Sequence, residues 1–86
     1  MAHNRVDIKN RVKRVLLQKQ LRGVDESALG FDTPLLDFGV GVDSVATLEL
    51  LVALEDEFGV SIDEEKVTLK DLETIESVAD LIARHA

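Results

Sequence analysis

Few side chains in this sequence can do chemistry. It has no cysteine, two histidines (His3 and His85) and a scatter of hydroxyls, of which Ser44 has the most suggestive setting. A serine nucleophile needs a base within reach, normally a histidine held by a third group. Both histidines lie next to the ends of the chain, and Ser44 is not framed by Gly-x-Ser-x-Gly, so acyl transfer by a triad is disfavoured. Gly39-Val40-Gly41 echoes a phosphate-cradling loop, but no strand precedes it and no Lys-Ser/Thr pair follows. The acidic groups Glu55-Asp56-Glu57 and Asp63-Glu64 lack the alternating oxygen ligands and central glycine of a calcium loop. The chemistry left to the chain is that of the Ser44 hydroxyl itself.

Ser44 follows Asp43 at the end of the glycine-bearing stretch Gly39-Val40-Gly41-Val42 and opens a segment running to Phe58. In that segment Val45, Leu48, Leu51, Val52, Leu54 and Phe58 mostly recur at three- and four-residue steps, which predicts an amphipathic helix stopped by Gly59. A helix start offers unpaired N–H groups and the positive pole of the macrodipole. It suits a serine that caps the helix or one that carries a phosphate ester, and the spacing alone leaves both readings open.

The remaining elements must hold this serine in place. Ile8, Val12, Val15, Leu16 and Leu21 predict a first helix from Arg5 to about Leu21, ended by Gly23. A long connection over residues 24–42 follows, with Leu29, Phe31, Leu35, Leu36 and Phe38 expected to pin it across the bundle. Thr33-Pro34 predicts an extended step before a short turn at Leu35-Leu36-Asp37-Phe38. Ser61-Ile62-Asp63-Glu64 and, more loosely, Thr68-Leu69-Lys70-Asp71 have capping-box spacing, so one or two short helical turns are expected between about Asp63 and Leu72. A last helix from near Thr74 should bury Ile75, Val78, Ala79, Leu81 and Ile82 and end with Arg84 and His85 at its negative pole. The fold class read from this order is all-α: a small four-helix bundle of three main helices and one short one, with a long first loop. With 86 residues, it is expected to be one domain, 1–86, without a linker or repeat. Such a domain buries roughly 60–65% of its unfolded surface, too little for a deep active-site cavity.

Charge is unevenly placed. Residues 1–42 carry seven basic groups against five acidic ones, a net of +2, and the rest carries twelve acidic groups against three basic ones, a net of −9. The acidic half contains Ser44. It should repel nucleic acid and anionic lipid and steer partners that bear Lys or Arg patches. Basic residues of the first helix lack interleaved aromatics, which disfavours a nucleic-acid contact. No apolar run is of spanning length, the amino-terminal residues lack the apolar core of a signal peptide, and cysteine is absent. A cytoplasmic, monomeric, freestanding protein is expected.

Gly41-Val42-Asp43-Ser44-Val45, followed by Leu48-Glu49-Leu50 and Ala53-Leu54-Glu55-Asp56-Glu57-Phe58, closely resembles the acyl carrier protein family. The attachment motif of that family is Gly, an apolar residue, Asp, Ser, then Leu or a similar residue, and the likeness in helix order covers nearly the whole chain. The resemblance implies a carrier and not an enzyme. In the family, the serine matching Ser44 receives 4′-phosphopantetheine from coenzyme A through a separate, magnesium-dependent phosphopantetheinyl transferase. Asp43, by resemblance, helps present the site, a role compatible with capping the helix. The arm's thiol then holds an acyl or aminoacyl group as a thioester, delivered by a loading enzyme. Synthases and tailoring enzymes of such pathways dock through basic patches, and the matching positions here are Glu49, Glu55 and Asp56 for charge and Val45 and Val52 for apolar contact. Two departures bear on pathway. Two additional residues stand between the Asp37-Phe38 turn and the Asp-Ser pair, and Val45-Ala46 replaces the commoner Leu and an acidic residue. They favour a dedicated partner set, as in polyketide or related secondary metabolism, over a generic fatty-acid carrier. An aminoacyl or peptidyl carrier and a non-carrier acidic interaction module are the alternatives.

Overall fold

The computed structural model describes residues 4–85; His3 lies outside the described residues. Three α-helices, α1 (Arg5–Gln18), α2 (Ser44–Phe58) and α3 (Ile75–His85), are linked by short 3-10 turns, and no strand occurs among the described residues. The short fourth element of the expected bundle is a pair of 3-10 turns, Glu64–Lys66 and Leu69–Leu72.

Helix α1 lies against both α2 and α3 and is the centre of the packing. It buries Ile8, Val12, Val15 and Leu16, the residues whose three- and four-residue spacing makes one stripe. Its end is a correction to the sequence reading. The helix stops at Gln18, where Lys19 leaves helical geometry and its N–H reaches back to the Leu16 and Val15 carbonyls. Leu21 is buried although it lies beyond the helix, because the Leu21 N–H bonds the Leu16 carbonyl at 2.8 Å and folds the turn back on the core. Gly23, at φ +92°, serves that later turn and not the helix end.

The long connection is pinned by backbone as well as by side chains. The Leu35 N–H donates to the Glu73 carbonyl at 2.8 Å and the Glu76 N–H to the Phe31 carbonyl at 3.1 Å, which fastens the loop to the entry of α3. Leu29 and Leu35 are fully buried, and Phe31 and Phe38 pack on the core. Leu36, expected inward, is 62% exposed, and Val40 is buried in its stead. The tight 3-10 turn Leu35–Phe38, begun by Pro34, ends in the left-handed Gly39, and Leu35 and Val40 are the residues it commits to the core.

Every buried side chain among the described residues is apolar. Where the sequence reading paired Ser61 with Glu64, the cap is Asp63, whose carboxylate accepts from the Glu65 N–H. The Thr68–Asp71 capping box forms in both directions. Charges of the two halves meet across the helices: Arg5 pairs with Asp80, Lys9 with Glu76, and Arg11 and Arg14 with Glu57. Arg11 also donates to the Glu57 carbonyl at 2.6 Å and covers the Phe58 ring at 4.5 Å, so it closes the C-terminal end of α2.

These pairs set an acid limit. The hydrogen bond from Arg11 holds the Glu57 carboxyl below its ordinary value against some desolvation, and the Thr68 N–H, aided by Arg84, does the same for Asp71. Both groups titrate near the ordinary ~4 in the unfolded chain and lower in the folded one. Their stabilisation is therefore complete above that range and is lost as pH falls through the lowered folded values. The melting temperature of the wild type should therefore fall as pH drops below about 4. The double variant Glu57→Gln, Asp71→Asn should be less stable at neutral pH and show a shallower acid limb, as followed by circular dichroism.

Candidate functional site

Ser44 is the first residue of α2, and the loop before it determines how it is shown to solvent. Gly39 and Gly41 sit at φ +86° and +91°, a region that L side chains rarely adopt. Between them, buried Val40 anchors the loop, and the Val40 N–H returns to the Leu35 carbonyl at 3.2 Å. The loop is thus built as an apolar anchor between two left-handed glycines. A Cβ on Gly41 would also meet the Leu69 side chain at 3.4 Å.

Asp43 is the N-cap. Its carboxylate accepts from the Val45 N–H at 2.8 Å and the Ala46 N–H at 3.3 Å, and its carbonyl accepts the Thr47 N–H at 2.9 Å and the Thr47 hydroxyl at 2.8 Å. Capping of α2 therefore belongs to Asp43 and not to Ser44. Ser44 is exposed, and no hydrogen bond to its hydroxyl is found among the described residues. A free primary hydroxyl at the positive pole of a helix is suited to carrying a phosphate ester. Asp43 occupies the Val45 and Ala46 N–H groups of the first turn of α2.

Beside the serine is an open cleft of about 460 Å³. Val42, Leu48, Leu51, Val67, Leu69 and Leu72 supply its apolar surface, while Thr47, Glu64, Glu65 and Thr68 add polar groups. The residues present fit a long flexible arm attached through a phosphodiester: an unengaged hydroxyl, an open approach and a partly apolar surface next to it.

Four of the five positions matched to partner contact come together. Val45, Glu49, Val52 and Asp56 line one groove of about 510 Å³ between α2 and α1, with Leu48 and Lys19 beside them. The fifth, Glu55, is half-buried, and its carboxylate accepts from the Ile62 N–H at 2.8 Å, so it tethers the chain that leaves α2. Leu48, one of the residues whose spacing predicts the helix, is 42% exposed, whereas Leu50, which that spacing leaves out, is fully buried. At about 100° per residue, Val45, Leu48, Glu49, Val52 and Asp56 fall on one face of α2 and Leu50, Leu51 and Leu54 on the opposite one. The acidic company of Leu48 was the available signal that its stripe faces water. Val42 and Leu69, 70% and 72% exposed at the cleft, carried no such signal. His85 binds the Leu81 carbonyl of its own helix through Nδ1 at 2.8 Å.

A three-helix fold with a hydroxyl offered at the start of α2 is the frame of a carrier, and the comparisons agree. The family model described as "Phosphopantetheine attachment site" matches residues 11–82, so the chain belongs to the phosphopantetheine-dependent carrier proteins. More narrowly, it belongs to the acyl carrier protein family: over 80 residues it is 35% identical to the acyl carrier protein of Thermotoga maritima, covering 93% of this chain and 89% of that protein. The prosthetic group of this family is a covalently attached 4′-phosphopantetheine.

Proposed function

We propose that Ser44 is the residue that receives 4′-phosphopantetheine and that the protein carries acyl intermediates as thioesters, without catalysing their chemistry. The observation behind this reading is the division of labour at the start of α2, where Asp43 caps and the Ser44 hydroxyl is exposed with no bond to hold it. When bound, the arm supplies a thiol, which a chain without cysteine has no other means of providing. Asp43 keeps the first turn of α2 intact while the serine oxygen takes on the phosphodiester. Val45 and Ala46 after the serine support a dedicated partner set in polyketide, fatty-acid-like or related secondary-metabolite biosynthesis, in the cytoplasm. The test is intact mass after incubation with coenzyme A, magnesium ion and a broad-specificity phosphopantetheinyl transferase, followed by peptide mapping. A gain of one arm on the peptide holding Ser44 supports the reading; no gain, or an arm elsewhere, overturns it.

Docking of the transferase, the loading enzyme and downstream synthases is assigned to the α2 face made by Val45, Glu49, Val52 and Asp56. Exposed ion pairs contribute about 0.2–1 kcal/mol each, so encounters should be weak and salt-sensitive, as suits a shuttle. Glu49→Lys with Asp56→Lys should raise the transferase KM about three- to tenfold at low ionic strength and much less at high salt. Glu55→Gln should leave that KM nearly unchanged, since its carboxylate serves Ile62.

A further inference from the structure

We infer that Gln20 is a positioning residue for the serine-bearing turn, an inference that rests on Ser44 being the attachment site. Gln20 lies in the turn after α1, and its Nε2 donates to the Ala46 carbonyl at 3.0 Å, across 26 residues of sequence. Ala46 stands two residues after Ser44, and its N–H is held by the Asp43 carboxylate at 3.3 Å. The first turn of α2 is thus gripped from two sides, by Asp43 from the loop and by Gln20 from the end of α1. The amide orientation is settled by its partner. A carbonyl only accepts, so turning the amide over would set two oxygens against each other.

The other end of the same side chain makes the case. Gln20 Oε1 is fully buried and has no hydrogen-bond partner among the described residues. A buried acceptor without a donor lowers stability, so an apolar side chain of the same length would serve the fold as well or better. What an apolar side chain does not supply is the donor to Ala46. Gln20 also lines a small cavity of about 100 Å³ together with Gly39, Val40, Gly41 and Thr47, the loop and turn on either side of Ser44. The loop owes its path to two left-handed glycines and one buried valine, and Gln20 ties the helix turn that follows it to the turn after α1.

Stability and loading should therefore separate. Gln20→Met is expected to melt at or above the wild-type temperature, yet its kcat/KM with a phosphopantetheinyl transferase should fall about three- to tenfold, the range that one lost hydrogen bond spans. The fall should lie mainly in kcat, because the α2 docking face is untouched and only the aim of the hydroxyl is loosened. Gln20→Leu, which likewise cannot donate, should show the same loss. Hydrogen exchange on the unmodified protein should show faster exchange at Val45, Ala46 and Thr47 in both variants, with α3 unchanged. Loading of Gln20→Met at the wild-type rate, or losses that merely follow melting temperature, would overturn the inference. Failure of the wild type to accept an arm would remove the attachment reading instead, and the exchange measurement would still decide whether Gln20 holds the turn.

Discussion

The Ser44→Ala variant is expected to fold like the wild type and to accept no arm at all. Folding is spared because the hydroxyl does no structural work that the structure records: it is exposed, it makes no hydrogen bond among the described residues, and Asp43 retains the cap. Alanine is the better helix former by a few tenths of a kcal/mol, so stability should stay within about 0.5 kcal/mol of wild type. Loading is abolished because the oxygen that would bond to phosphorus is gone, and no neighbour replaces it. The Thr47 hydroxyl, one turn further along α2, is committed to the Asp43 carbonyl. Intact mass after transferase treatment reads the first half, and urea unfolding of the unmodified variant reads the second. An arm on the variant ends the assignment of position 44; a variant that fails to fold shows that the serine was structural.

Leu50→Ala should cost about 2–5 kcal/mol, while Leu48→Ala, two residues away, should cost under about 1 kcal/mol. Leu50 is fully buried and touches the small cavity behind the serine loop, whereas Leu48 is 42% exposed between two open clefts. In a domain this small, the larger loss should leave much of the protein unfolded at physiological temperature. Leu48→Ala should instead weaken partner encounters, because it removes apolar surface between Val45 and Val52 on the docking face. Urea titration of both variants measures the contrast. Equal costs, or a larger cost at position 48, would mean that α2 is rotated from the orientation described.

Much of the frame was legible before any coordinates. The stripes of α1 and α3 each follow one helical face, so Ile8, Val12, Val15 and Leu16, and Ile75, Val78, Ala79, Leu81 and Ile82, had one consistent inward side. Gly59 and the Thr68–Asp71 box were readable because a left-handed stop and a reciprocal cap depend on neighbours a few residues away. Helix α2 was harder. It carries apolar residues on two opposite faces, and periodicity does not say which of them meets the core. Leu48, Leu51 and Val52 therefore fall in one apolar set in the sequence although they face different ways, and the tie of Glu55 to Ile62 is invisible in one dimension. The exchange of Leu36 for Val40 in the connection has the same origin: a 3-10 turn directs its side chains with a different period from an α-helix.

By itself, the sequence determined the helix order, the family motif around Asp43-Ser44 and the placement of a hydroxyl at a helix start, all of which follow from local propensity and short-range spacing. Only tertiary structure decided that Asp43 and not Ser44 caps α2, which face of α2 is presented to solvent, and that Gln20 reaches across to the serine turn. Those outcomes depend on which groups from distant segments arrive at the same place, and a capping or bridging bond goes to whichever donor or acceptor packing brings within reach.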